Sequence, residues 1–128
     1  MIIHPFGENS SFHHVGLAVS SLAETKLEIQ PVIDPIQKVK IAFAELDGCR
    51  IELLEPIGDN SPILNSVKKG VKLLHICFEV DDLLLAMENA RGNGFMVIAS
   101  PVPAVVFKNR RIAWVFHSVW GVIELLER

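Results

Sequence analysis

Four residues of this chain have the chemistry of a ligand set: His14, Glu52, His75 and Glu124. Two imidazoles and two carboxylates suit a borderline divalent ion and leave open positions in an octahedral shell for water or substrate oxygens. Each stands among apolar neighbours. Leu74, Ile76, Phe78 and Val80 alternate with His75, Cys77 and Glu79, the period of two expected of a strand with one core face, so His75 points away from the main apolar layer. In Ile51-Glu52-Leu53 and Ile123-Glu124-Leu125 the aliphatic residues take one face and the glutamates the other. A carboxylate on the inner side of a sheet is costly unless it is paired or bound to a cation. Taken singly, each residue has a plainer explanation, since a lone strand histidine usually bonds backbone and a strand glutamate usually faces water.

Repetition changes that balance. His14-Val15-Gly16-Leu17-Ala18-Val19 lies 61 residues before the His75 strand and follows the same pattern. Lys40-Ile41-Ala42-Phe43 is echoed by Arg111-Ile112-Ala113-Trp114, and Ile51-Glu52-Leu53-Leu54-Glu55 recurs letter for letter at Ile123-Glu124-Leu125-Leu126-Glu127. This is an internal duplication. About a pseudo-twofold axis, His14 with Glu52 and His75 with Glu124 become two equivalent pairs. The first copy is abbreviated: 38 residues separate its histidine from its glutamate, against 49 in the second.

The elements that must position these residues follow from local signals. The first strand is expected at about 13–19, after a loose irregular lead-in over residues 1–11. Ser21 with Glu24 forms a capping box that opens a helix cut short by Pro31 and Pro35. A strand at 38–46, an Asp47-Gly48 turn and a strand at 49–55 read as a hairpin. Ser61 is expected as N-cap and Pro62 as first residue of a short helix that ends at Lys68, Lys69 and Gly70. Asp82 caps a second helix with Leu83, Leu84, Met87 and Ala90 on its apolar stripe and Gly92 just past its end. Three strands follow, at about 95–99, at 104–107 or 110–116, and at 121–127.

Each half thus reads β-α-β-β-β. The fold class expected is α+β, two βαβββ modules forming a cupped mixed sheet, the first module shortened. A chain of 128 residues fits one domain, because half-repeats of this size bury too little surface alone. Within it the first module spans 12–56, a connector with a short helix 57–72, and the second module 73–128.

Composition bounds the function. Half of the residues are hydrophobic and 21% are charged, as in ordinary globular chains. The net charge of −3 argues against nucleic acid or an anionic membrane as the main partner. No apolar run approaches the roughly 20 residues that span a bilayer, and the N-terminus lacks a signal-peptide pattern, so a cytoplasmic location is expected. Cys49 and Cys77 lack metal-type spacing and read as reduced packing residues. His13 points to the face opposite His14, and His117 lies near a turn. Glu55 and Glu127 fall at strand ends, where exposure is cheap. Lys108, Arg110 and Arg111 have the charge to meet substrate phosphates, but such a cluster more often solvates a hairpin turn.

The quoted stretches, with Gly58-Asp59-Asn60-Ser61-Pro62-Ile63 and Leu74-His75-Ile76-Cys77-Phe78-Glu79-Val80-Asp81-Asp82, resemble the vicinal oxygen chelate superfamily of glyoxalases, bleomycin-resistance proteins and dioxygenases. They look most like its methylmalonyl-CoA epimerase branch, and more distantly glyoxalase I. The resemblance covers nearly the whole chain from residue 12 to 127. It implies paired βαβββ modules around one divalent metal (Zn, Ni, Co, Mn or Mg) held by His14, Glu52, His75 and Glu124.

It further implies a metal-dependent isomerase or lyase, acting on a small carbonyl or thioester substrate by abstraction of the proton alpha to the carbonyl, with a metal-stabilised enolate. In that chemistry Glu124 is the leading catalytic base and Glu52 its pseudo-symmetric partner. A homodimer is the expected assembly. Other members of the superfamily are Fe(II) dioxygenases, which use two histidines and one glutamate, and non-catalytic binding proteins, which generally lack the ligands. The chain also departs from the epimerase pattern. Asp34-Pro35-Ile36-Gln37 stands where epimerases carry an additional glutamate, and Pro101-Val102-Pro103-Ala104-Val105-Val106-Phe107 replaces their glycine-histidine-glycine loop. Substrate contacts made by those segments are not carried over.

Overall fold

The alternating stretch around His14 forms strand β1, Ser11–Ala18. The α-helix expected after it does not form: the backbone turns left-handed at Lys26, φ 57°. Ser21 caps a 3-10 turn at Leu22–Thr25 by accepting the Ala23 N–H at 3.2 Å, but the capping box is not completed, because Glu24 takes the Ser20 hydroxyl at 2.8 Å. Between the two prolines the backbone has room for a short strand, β2, Val32–Asp34, which the βαβββ order requires and no local signal located. Strands β3, Val39–Leu46, and β4, Cys49–Pro56, form the expected hairpin. Asp47 and Gly48 both take positive φ, 50° and 82°, which gives the tight turn a twist that matches the strands.

The connector helix α1, Leu64–Lys68, starts later than the Ser61-Pro62 signal predicts. Residues 61–64 close a turn through the Leu64 N–H to Ser61 carbonyl bond, so Ile63 becomes the N-cap and the buried Ser61 hydroxyl caps nothing. The second histidine strand is β5, Leu73–Val80, followed by α2, Leu83–Gly92, with Asp82 accepting the Leu85 N–H at 3.0 Å as the expected N-cap. The buried stripe of α2 is Leu83, Ala86, Met87 and Ala90; Leu84 is 56% exposed, because at 3.6 residues per turn it falls off that stripe. Gly92 is still helical. The chain leaves the helix through Gly94 at φ +85°, with the Phe95 N–H reaching back to the Ala90 carbonyl and the Gly94 N–H to Arg91, a Schellman ending.

Strand β6 runs over Met96–Ala104 with two register breaks, and a short 3-10 turn, Val105–Phe107, leads through left-handed Lys108 and Asn109 into β7, Arg110–His117. Strand β8 is Gly121–Glu127. The computed structural model describes residues 1–128. Its strands follow the hydrogen-bonding order β2-β3-β4-β1-β5-β8-β7-β6 in one sheet. The sheet is mixed: β1 with β4 and β5 with β8 are parallel, whereas β2–β3–β4 and β6–β7–β8 are antiparallel ladders. This is the α+β class expected. No helix is long and apolar enough to cross a membrane.

The chain divides into two compact units, one made of residues 14–74 with 105–108, the other of residues 1–13, 75–104 and 109–128. In the first, Leu22, Ala42, Ile51 and Leu53 form a core on the side of the 3-10 turn, and Val39, Ile41 and Leu54 form another with Phe43, Ile63, Leu74 and Val106. In the second, α2 packs on Val80, Ala113, Val115, Ile123 and Leu125. Phe6 belongs to this core. It is 5% exposed, with ring centroids 5.5 Å from Phe78 and 5.1 Å from Phe95, so the lead-in segment is anchored, contrary to the expectation of a loose arm. One aromatic side chain is enough to hold a segment whose composition reads as irregular.

Charges on this unit tie strand ends together. Arg110 bonds Glu79 at 3.0 Å, Arg111 bonds Glu127 at 2.6 Å, and Arg128 bonds Asp81 at 2.8 Å and Ser11 at 2.6 Å. Burial pushes the Glu79 carboxyl up, but the Arg110 hydrogen bond and the charges of His13, Arg110 and Arg128 outweigh it, and the group titrates below its ordinary value of 4.5.

Two outcomes follow. Phe6→Ala should cost about 3 kcal/mol in denaturant unfolding, the usual loss for a buried phenylalanine. A cost below about 0.5 kcal/mol would show that the segment contributes no core. Because the folded pKa of Glu79 is depressed, its stabilisation is present above pH 4.5 and fades as the pH falls through the folded value. Glu79→Gln should therefore unfold more easily at pH 7, by less than about 1 kcal/mol for a partly exposed pair, and the difference from the parent should shrink as the pH falls below 4.5.

Candidate functional site

Strand pairing decides where the predicted ligands point. Parallel β1 and β4 pair Gly16 opposite Glu52, and parallel β5 and β8 pair Cys77 opposite Glu124. Directly opposed residues share a face, and so do residues two apart on one strand. His14, two before Gly16, therefore shares a face with Glu52; His75, two before Cys77, shares one with Glu124. The residue facing each glutamate is small, glycine or cysteine. Nε2 of His14 stands 3.4 Å from Oε1 of Glu52, and Nε2 of His75 stands 4.0 Å from Oε1 of Glu124.

All four side chains are sealed from water: relative exposure is 0% for His14, 2% for Glu52, 4% for His75 and 2% for Glu124. The alternation of β1 and β5 predicts one core face, and the structure covers the histidine face as well. His14 and Cys77 are more deeply buried than the half-buried Val15, Leu17, Ile76 and Phe78 of the apolar layer. Carboxylates at such depth require compensating charge. Both pair distances exceed the 2.7–3.2 Å usual for an N–H to oxygen hydrogen bond. They match the spacing of about 3–4 Å between two donors that each lie about 2.0–2.2 Å from one ion. In each pair the donor types and their spacing are those of two ligands of a divalent cation.

Each pair carries an aromatic ring set edge-on to its imidazole. Antiparallel pairing sets Phe43 opposite Glu52 and Trp114 opposite Glu124. The Phe43 ring meets His14 edge-on at 5.4 Å and 83°, and the Trp114 ring meets His75 at 4.8 Å and 85°. The repeat of Lys40-Ile41-Ala42-Phe43 in Arg111-Ile112-Ala113-Trp114 was the sequence signal for this, although it did not say that the rings would touch the histidines. His14 has a further neighbour in Phe107, stacked at 5.8 Å and 29°.

The other candidates are placed elsewhere. His13 is half-buried and acts electrostatically on Glu79. His117 accepts the Val119 N–H at Nδ1 and packs on Phe95 at 4.9 Å. Arg110 and Arg111 lie in β7 and pair with Glu79 and Glu127, in place of the solvated turn expected. Asp34 is buried, and its Oδ1 accepts the N–H groups of Ile36 and Gln37 at 2.9 and 3.0 Å, a turn role. Glu55 corrects the expectation of a freely exposed strand end: it is half-buried, and Oε1 accepts the Leu22 N–H at 2.7 Å while Lys40 stands 3.5 Å from Oε2. It pins the 3-10 turn that survives from the first helix.

The family model described as the Glyoxalase/Bleomycin resistance protein/Dioxygenase superfamily matches residues 13–114. The chain belongs to this superfamily. Among its relatives within the superfamily, the chain is 31% identical over 104 residues to the ethylmalonyl-CoA/methylmalonyl-CoA epimerase of Cereibacter sphaeroides, covering 73% of this chain and 78% of that protein. It is 31% identical over 127 residues to the mitochondrial methylmalonyl-CoA epimerase of Dictyostelium discoideum, covering 90% and 76%. Among solved structures, a hypothetical protein from Bacillus halodurans superposes with a TM-score of 0.77 at 27% identity, covering 94% of this chain and 96% of that one. The methylmalonyl-CoA epimerase of Mycobacterium tuberculosis shares the fold, with a TM-score of 0.75 at 21% identity over 91% and 86% of the two chains.

The contact between Trp114 and His75 supplies a test of the candidate site. With Trp120 changed to phenylalanine, Trp114 is the sole tryptophan of the chain. Titration with Zn²⁺ or Co²⁺ should then change its emission saturably at one equivalent, and His75→Ala should abolish the change. Emission that stays flat while metal analysis shows a bound ion would place that ion away from His75.

Proposed function

We propose that the chain is a divalent-metal-dependent isomerase of the epimerase type, acting on an acyl thioester or similar carbonyl compound by moving the proton alpha to the carbonyl. His14, Glu52, His75 and Glu124 together hold one ion. The observation that carries this reading is the twofold occurrence of a buried histidine–glutamate pair in one strand register, each with an aromatic ring on its imidazole. All four are buried, and each histidine stands beside the glutamate of its own half. Two relatives of about 31% identity are named as epimerases of acyl-CoA thioesters, which supports the reaction class.

When bound, the ion supplies positive charge that favours negative charge on a substrate carbonyl oxygen. The residues of the chain do the rest. The two imidazoles pack edge-on against Phe43 and Trp114. Exclusion of water strengthens every charge interaction at these buried groups. Glu124 accepts the alpha proton as the C–H electron pair moves into the new carbon–carbon double bond and the carbonyl pair moves to oxygen. Return of a proton to the same carbon regenerates the carbonyl, and Glu52, the counterpart of Glu124, is the second carboxylate able to deliver it. Asp34, tied to its turn, is not assigned to this chemistry.

Incubation in D₂O with a propionyl or methylmalonyl thioester should exchange the alpha hydrogen only when metal is present. Glu124→Ala should slow exchange by about 10²–10⁴-fold, as for loss of a general base. His75→Ala and Glu124→Ala should lose stoichiometric metal while keeping the parent circular dichroism. Metal at parental level in both variants would refute the ligand assignment, and oxygen uptake in place of exchange would indicate a dioxygenase instead.

A further inference from the structure

The ladder between β2 and β3 ends where Val32 faces Ile41, whereas β3 continues to Leu46. Because β2 is the terminal strand on that side, residues 42–46 of β3 have a strand partner only in β4. In an antiparallel ladder the amide groups between paired residues alternate in direction, so part of those of Ala42–Glu45 turn away from β4 toward the open edge. Residues 27–31 carry no strand pairing, and residues of that segment line, together with the open edge, a cavity of about 540 Å³. That size lies within the range of about 300–1,000 Å³ typical of small-molecule sites.

The apolar residues that line the cavity include Leu27, Ile29, Val32, Phe43 and Val106, beside the polar, uncharged Gln30. Phe43 is also the ring that packs on His14 and stands opposite Glu52, so the cavity begins one side chain away from that pair. The charged residues lining it are Glu28 and Glu45, and no lysine or arginine does. An anionic group, whether a carboxylate or a phosphate, is therefore disfavoured here. A purely hydrocarbon occupant is disfavoured too, because it would cover strand amides without bonding them. An occupant that satisfies both walls and edge is uncharged, extended and able to bond like an added strand.

We infer that this cavity binds the amide-bearing, uncharged arm of a thioester substrate, with the secondary amides of the arm bonded to the open edge of β3 and its methylene and methyl groups against Leu27, Ile29 and Val106. This deepens the thioester reading above and rests on it. The acyl carbonyl lies at the Phe43 end, next to His14, and the anionic parts of a carrier lie outside the cavity. The shortening of the first half is what makes room, since only a three-residue strand borders β3.

The test uses S-propyl-pantetheine, an unreactive thioether, and amide NMR of the full chain. Saturable shifts should be confined to residues 27–32 and 42–46 and to Phe43 and Val106. The analogue with both amide nitrogens methylated should bind about tenfold more weakly, the loss of roughly one to two net hydrogen bonds. Leu27→Ala, at an exposed position that leaves the core intact, should weaken the parent probe several-fold. Equal binding of the methylated analogue, shifts located elsewhere, or tighter binding of an uncharged tripeptide than of the probe would each overturn the assignment. The two readings fail separately. Probe binding without deuterium exchange on any thioester leaves the cavity and removes the reaction, whereas exchange without these shifts leaves the reaction and removes the cavity.

Discussion

Everything at the site depends on strand register. A shift of one residue in the pairing of β1 with β4, or of β5 with β8, would turn each glutamate to the opposite face and separate it from its histidine. The apolar face prevents that shift. Ile51 and Leu53 pack with Leu22 and Ala42, and Ile123 and Leu125 pack with Val80, Leu83 and Ala113, so slippage would expose those side chains and bury their polar neighbours against them. Hydrophobic burial on one side of each strand thus sets the position of the charged residues on the other.

The two halves reach the same histidine–glutamate geometry with different support. His75 has Trp114 at its edge, whereas His14 has Phe43 at its edge and Phe107 stacked on its face. In the second half a ten-residue helix with a full N-cap and a Schellman ending packs on the apolar face. In the first half only a four-residue 3-10 turn remains, and a turn that short has little cooperative stability of its own. The Glu55 carboxylate substitutes for the missing helix by accepting the Leu22 N–H.

Shortening has a second effect, at the sheet edge. A three-residue β2 covers only the beginning of β3. Open strand edges invite pairing, and proteins usually cover or charge them. Here the edge lies beside a segment that contains Leu27 and Ile29, with Glu28 and Glu45 on the wall. It is an edge lined for contact with an uncharged molecule, adjoining a buried pair of opposite chemistry.

The sequence alone determined what is local and what is repeated. Period-two alternation located β1, β5 and β8, the Asp47-Gly48 pair located its hairpin, Asp82 located the start of α2, and the recurrence of Ile-Glu-Leu-Leu-Glu with its upstream histidine singled out His14, Glu52, His75 and Glu124. These signals are legible because backbone geometry and side-chain alternation act over a few residues. Tertiary structure alone decided the rest: that the histidine face is sealed as completely as the apolar one, that Phe6 anchors a segment of irregular composition, that Ser61 caps nothing, that Glu55 reaches Leu22, and that Arg110 and Arg111 are spent on Glu79 and Glu127. Each of these is a contact between residues distant in sequence or a competition between two partners for one group. Such outcomes are set by which surfaces the packed chain brings together, and no local pattern encodes them.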